Sequence, residues 1–141
     1  MSAEKNRVEA SRWLTTGDED LTTAKVLLQA GRYAHACFHS QQAGEKAMKA
    51  VWYMLGGDPW GHSVSRLITQ LKGIDNTTFS TFEDLIEDAA RLDRYYVPTR
   101  YPNGLPDITP DQAFFAQDAA GAVGIAKTLL ERAGVIVVVE N

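Results

Sequence analysis

Three arginines and three tyrosines crowd one short stretch of an acidic chain. Arg91, Arg94 and Arg100 lie within ten residues, interleaved with Tyr95, Tyr96 and Tyr101. A guanidinium presents a rigid fork of donors that fits a phosphate in a bidentate way, and a tyrosine ring offers a face on which a base stacks. The chemistry that suits this pattern is the holding of a phosphate or nucleotide. The competing reading is structural: tyrosines and prolines at helix junctions pack, and arginines there cap carboxyl ends. Residue types alone leave both open.

A second set lies near the middle of the chain. Glu45 and Lys49 have the spacing and orientation of a favourable i, i+4 ion pair on a helix, and Gln41 shares their face. They read either as a solvated face or as one wall of a groove, with Lys46 beside them. His35 and His39, also four apart, have metal-compatible geometry, but no third ligand at helical spacing accompanies them. The alternative is a polar strip facing solvent or a partner. The single cysteine, Cys37, sits in an apolar helical pattern and reads as a small buried hydrophobe. There is no phosphate-binding glycine loop, dinucleotide fingerprint, cysteine pair or His-Glu-x-x-His motif, so neither a cofactor nor a metal is expected.

The 141 residues suit one domain with a real core. A formal net charge of −4 argues against a general nucleic-acid coat, which needs clustered Lys and Arg, but leaves room for a local basic patch. No run of about 18 apolar residues exists, so no membrane span is expected. The first residues lead into charge rather than an apolar signal core, which points to a cytoplasmic protein.

Helices must position these groups. Ala10, Leu14, Gly17, Leu21, Ala24 and Leu28 form one stripe of a helix over about 4–30, with Gly31 as its stop. Gly17 on that stripe signals close helix–helix contact. A second helix, about 33–55, carries a stripe of mostly small residues: Ala36, Ser40, Ala43, Gly44, Ala47, Val51 and Leu55. The short link makes the two an antiparallel hairpin. His62-Ser63 opens a short third helix bearing Val64, Leu67, Ile68 and Leu71, and a fourth helix is expected over about 78–92. Pro98, Pro102 and Pro106 then exclude any continuous helix. Thr109-Pro110-Asp111-Gln112 is a capping-box start for a last long helix ending at Gly134, and its free N–H groups lie close in sequence to the arginines. The expected architecture is all-α: an up-and-down bundle of four to five helices, with a short third helix and a proline-containing junction before the last. One domain spans residues 1–134. The β-prone tail 135–141 either continues the helix, packs extended, or pairs with another protomer.

In this order and spacing the chain resembles the HEPN domain family (higher eukaryotes and prokaryotes nucleotide-binding). Trp13-Leu14, Asp20-Leu21, Ala24 and Leu27-Leu28 are similar to its first helix. Tyr33, Ala36, Phe38, Gln41-Gln42-Ala43, Glu45-Lys46-Ala47 and Lys49-Ala50 are similar to its second, the most specific piece. His62-Ser63-Val64 with Leu67 resembles the third helix start, and Tyr95 through Arg100-Tyr101-Pro102 resembles its Arg-Tyr-Pro junction. The resemblance spans about residues 8 to 132.

The resemblance implies a homodimeric bundle that binds nucleotides or RNA, paired with a minimal nucleotidyltransferase in a toxin–antitoxin-like system. Ribonuclease members carry an arginine, four to six residues, then a histidine ahead of the final helix, for acid–base work at the phosphate. Here no histidine follows Arg94 or Arg100, and the Arg32–His39 interval falls in the second helix. The chain therefore resembles the subset without that motif, and no catalytic residue is assigned. Arg94, Arg100 and Tyr101 are expected to contact phosphate and base, with Glu45 and Lys49 in the same cleft, Lys46 and His62 beside them, and Tyr95 and Pro102 shaping the junction. Two alternatives stand: a ribonuclease with an atypical site using His39 or His62, and a protein–protein interaction module.

Overall fold

Buried apolar stripes decide how the helices assemble, and local caps decide where each begins. The computed structural model describes residues 2–138, which contain helices and turns and no strand. The Ser2 side chain accepts from the Lys5 amide and starts α1 (Ala3–Gln29). Gly31, at φ +76°, ends the turn, and α2 (Tyr33–Met54) runs back along α1. Gly17 is where α1 closes on the rest of the bundle: a Cβ there would stand 3.0 Å from Leu130 Cδ2 and 3.3 Å from the Ala43 carbonyl oxygen. That close approach accounts for a glycine whose helix propensity is about 1 kcal/mol poorer than alanine's.

α7 (Ala116–Val138) completes the main layer with α1 and α2. The smaller layer is α3 (Val64–Thr69), α4 (Asn76–Phe82) and α5 (Ile86–Asp93), packed through Val64, Leu67, Ile68, Phe82 and Leu92. α2 lies between the layers and is enclosed on almost every side; Cys37, Ala43, Ala47, Met48 and Val51 have no exposed surface. No helix among the described residues is long and apolar enough to cross a membrane.

The expected all-α bundle forms, with three local differences. The stretch 78–92 is two helices, not one. A 3-10 turn over Glu83–Leu85 separates α4 from α5. Its tighter winding brings Phe79, Phe82 and Leu85, spaced by three, onto the same buried side. The Thr109 capping box forms as expected but opens a single turn, α6 (Pro110–Ala113). Phe114 then becomes extended and meets Tyr95 edge-on at 5.7 Å, and the Asp118 carboxylate accepts from the Phe115 amide to start α7. Gly134 does not stop α7. Ala133 and Val137, one turn apart, are both buried, and their packing carries the helix through the glycine. Residues 135–138 thus continue the helix, and the rest of the tail lies outside the described residues.

Gly17→Val should lower the unfolding free energy by about 1–3 kcal/mol through overpacking. Urea denaturation checks this. An unchanged midpoint would mean that Leu130 and the α2 backbone yield without cost.

Candidate functional site

Because α2 is enclosed, even its polar face is buried. Gln41 has no exposed surface and Glu45 only 4%. A carboxylate taken out of water must find partners. Lys49 Nζ donates to Glu45 Oε2 at 3.0 Å, and the Gln41 amide donates to Oε1 at 3.2 Å. His62 Nδ1 lies 3.3 and 3.2 Å from the two carboxylate oxygens. Facing an acceptor, Nδ1 carries the ring proton, and Nε2 remains as the nitrogen without this partner. Gln41 also donates to the His62 carbonyl oxygen at 3.0 Å and accepts from Gln42 at 2.8 Å. The solvated-face reading of Glu45 and Lys49 is therefore overturned. Lys49 is itself largely buried, with Nζ 5.5 Å from the Trp13 ring centroid.

His62 arrives on the loop between α2 and α3. Gly61 adopts φ +83°, a conformation that L side chains rarely take, and turns the chain so that His62 meets Glu45. Asp93, the last residue of α5, holds the next step of the chain. Its carboxylate accepts from Ser63 Oγ (2.8 Å), Val64 N (2.6 Å), Ser65 N (3.2 Å) and Ser65 Oγ (2.6 Å). The end of α5 and the start of α3 are thereby tied together.

The break follows directly from α5. The Thr99 hydroxyl donates to the Tyr95 carbonyl oxygen, and the Arg100 and Tyr101 amides donate to the Val97 carbonyl, which winds the segment into turns despite Pro98. Tyr95 packs inward; burial raises its hydroxyl pKa, with Arg94 and Arg91 opposing. Tyr96 stacks on His62 with centroids 4.6 Å apart and planes at 18°. Arg100 Nε donates to the Tyr96 carbonyl oxygen at 2.8 Å. Its guanidinium lies over three rings: Phe38 at 4.4 Å, Tyr96 at 4.7 Å and Tyr101 at 5.1 Å. Each such contact is worth about 0.5–1 kcal/mol at an exposed site. The rings orient the cation without neutralising it. Among the described residues no carboxylate pairs with Arg100, so its terminal N–H groups are left for an anion.

Of the residues expected in the site, Glu45, Lys49, His62, Arg100 and Tyr101 form one chain of contacts through Tyr96. Arg94 and Lys46 are not part of it. Arg94 caps α5 and is exposed, with no side-chain hydrogen bond or ion pair among the described residues. Lys46 points from the other flank of α2 to Asp20 at 2.5 Å, and lines a separate hollow of about 270 Å³ with Glu9, Arg12, Trp13 and Thr16. Pro102 opens a 3-10 turn that ends the junction. Sequence reasoning missed Phe38, Trp13 and Asp93 as site-building residues. Phe38 stands one turn before Gln41 on α2, so its face was readable; nothing in the spacing linked it to Arg100.

The remaining candidates lie elsewhere. His39 is beside Asp20 and Lys46; burial lowers its pKa, and its Nδ1 is buried without a hydrogen-bond partner among the described residues. Among the described residues, no group of three His, Cys, Asp or Glu could hold a metal. Cys37 is fully buried, and burial, with Asp118 adding, pushes its thiol up to about 12.

The HEPN domain model matches residues 10–136. A protein of Methanocaldococcus jannaschii described as a candidate toxin is 31% identical over 135 residues, which cover 86% of this chain and 88% of that protein. A crystal structure from Thermus thermophilus superposes with a TM-score of 0.82 at 35% identity, covering 90% of this chain and 97% of the other. An archaeal HEPN homologue gives 0.69 at 30% identity, covering 90% and 97%. A HEPN domain protein from Thermotoga maritima gives 0.65 at 30% identity, covering 88% and 95%.

Asp93→Ala removes four hydrogen bonds to a carboxylate and should cost on the order of 3 kcal/mol. Thermal and urea unfolding measure the loss; a change below about 0.5 kcal/mol, the level of ordinary surface substitutions, would show that the clamp does not hold α3 to α5.

Proposed function

The chain belongs to the HEPN domain family, and from that premise we propose that it binds a nucleotide or RNA at the contact chain that leads from Glu45–Lys49 to Arg100. The observation that carries this reading is the state of Arg100. Three aromatic faces and one backbone carbonyl hold its guanidinium in place, yet it has no carboxylate partner among the described residues. Phosphate is the anion such a fork fits. Tyr101, 52% exposed beneath the same guanidinium, is available to a base. Lys49, largely buried and paired with Glu45, backs the site from inside.

The reading extends to the system. The toxin-like relative supports a toxin–antitoxin role, in which this chain works as a cytoplasmic homodimer beside a minimal nucleotidyltransferase. Arg94, exposed and without an ion-pair partner among the described residues, then serves as an outer phosphate contact, and Lys46 stays with Asp20. The absence of a histidine after Arg94 or Arg100 favours binding without cleavage.

One specific observation favours a second reading. His62 has the carboxylate–imidazole arrangement of a general base, with Nδ1 on Glu45. That is the atypical ribonuclease, with His62 rather than His39.

Arg100→Ala should weaken binding of a labelled single-stranded RNA at least tenfold by fluorescence anisotropy, with most of the loss retained in Arg100→Lys. Unchanged affinity would place the site elsewhere, and no binding by the unmodified protein would leave an interaction module. For the second reading, purified protein should leave the same RNA intact. Cleavage that disappears in His62→Ala but persists in His39→Ala would convert the assignment to a ribonuclease.

A further inference from the structure

One side chain in this neighbourhood is unexplained by the cleft. Trp60 is 82% exposed, the most exposed of the large hydrophobic residues among those described. Burial of an aromatic of this size is strongly favourable, so its display to solvent forgoes a large stabilisation. It stands two residues before His62 on the α2–α3 loop, on the other side of the Gly61 turn. Trp60, Gly61, His62, Ser63, Arg66 and Gln70 line a hollow of about 320 Å³, at the lower end of the range for small-ligand sites.

The hollow has a distinct chemistry. Its one large apolar surface is the Trp60 indole; everything around it is polar, cationic or glycine. A tryptophan that docks a protein stands in a wider apolar patch. Arg66 adds an uncompensated charge. Arg12, Arg91 and Arg132 each pair with a carboxylate, whereas the Arg66 guanidinium has no acceptor among the described residues. The Gln70 amide likewise has no partner there, so both its donors and its acceptor are available.

We infer that this hollow is a second nucleotide subsite, in which a base stacks on Trp60, Gln70 meets its edge and Arg66 takes the adjoining phosphate. The inference rests on the nucleotide- or RNA-binding reading of the Arg100 cleft. His62 joins the two. It lines the hollow while its ring stacks on Tyr96, and Tyr96 lies under Arg100. A single strand whose phosphate sits at Arg100 thus passes His62 and reaches Trp60 with a neighbouring base. The ligand class is an oligonucleotide of two or more residues rather than a mononucleotide.

The test compares a labelled single-stranded RNA with the same RNA carrying abasic residues, titrated against the full chain and its Trp60→Ala, Trp60→Phe and Arg66→Ala variants. Trp60 is exposed, so folding should be unaffected, and circular dichroism verifies this. Trp60→Ala should weaken binding of the intact RNA at least fivefold, the low end of what one base–aromatic stack contributes. Trp60→Phe should keep most of the affinity, Arg66→Ala should lower it with a smaller salt dependence, and the abasic RNA should bind wild type and Trp60→Ala alike. If Arg100→Ala abolishes binding while Trp60→Ala leaves it unchanged, the subsite is refuted and the cleft stands. If the unmodified chain binds no RNA, both fail. If Trp60→Ala leaves RNA affinity intact but dissociates a dimer in light scattering, the indole is a protein contact.

Discussion

One buried carboxylate organises this molecule's polar chemistry. Glu45 lies near the middle of α2, where helices approach on small residues and exclude water. An unpaired charge there would cost several kcal/mol, so the surroundings must supply donors. They come from three places: Gln41 one turn before, Lys49 one turn after, and His62 from a loop. The first two are automatic at helical spacing. The third is not, and it constrains the rest. For His62 to reach Glu45, the loop must turn at Gly61, and α3 must start where Asp93 can hold it. The same Asp93 ends α5 and sets where the break begins, so Tyr96 arrives against His62 and Arg100 against Tyr96.

This arrangement separates two kinds of cation. Lys49 and Lys46 are spent on Glu45 and Asp20 and serve mainly to make buried or half-buried carboxylates tolerable. Arg100 is held by π faces and a backbone carbonyl instead. Aromatic faces attract a cation but offer no lone pair to satisfy its N–H groups. The guanidinium is thus oriented while its hydrogen-bonding capacity stays unspent, the state a binding group needs before its ligand arrives. Arg132, by contrast, is met by the Asp84 carboxylate, which takes up its N–H groups.

Much of this was legible in the residues. The hairpin of α1 and α2, the close approach at Gly17 and the capping box at Thr109 follow from periodicity and cap chemistry, which are local. What local rules missed has tertiary causes. The single helix expected over 78–92 is broken because Phe79, Phe82 and Leu85 must share one buried side, a demand that exists only once α3 is in place. Gly134 carries a stop signal, but burial of Ala133 and Val137 outweighs it. Within the site, the i, i+4 logic correctly paired Glu45 with Lys49 yet could not say whether the pair faced water. Its burial depends on Trp13 of α1 and on His62 from the α2–α3 loop, both far from it in sequence. Phe38 under Arg100 is invisible to spacing for the same reason, and so is Asp93 beneath Ser63 and Ser65.

The position of His62 also bears on cutting versus holding. Cleavage of an RNA strand by its own 2′-hydroxyl needs a group to take that proton and a group to protonate the leaving 5′-oxygen. His62 can do one of these through Nε2, since Nδ1 is committed to Glu45. Besides Glu45, the other groups in the contact chain are Arg100, Lys49, Tyr96 and Tyr101, the last lying under the Arg100 guanidinium. An arginine does not give up its proton in a protein, and Lys49 is committed to Glu45 by an ion pair. Tyr96, flat against the imidazole, is placed to stack rather than to transfer a proton. The contact chain therefore holds one imidazole where the reaction is best served by a matched acid and base, while its cation and ring faces meet the requirements of phosphate and base binding. A second imidazole would have to come from outside the described contacts, for instance from a partner protomer, and the imbalance within this chain is the physical reason to rank holding above cutting.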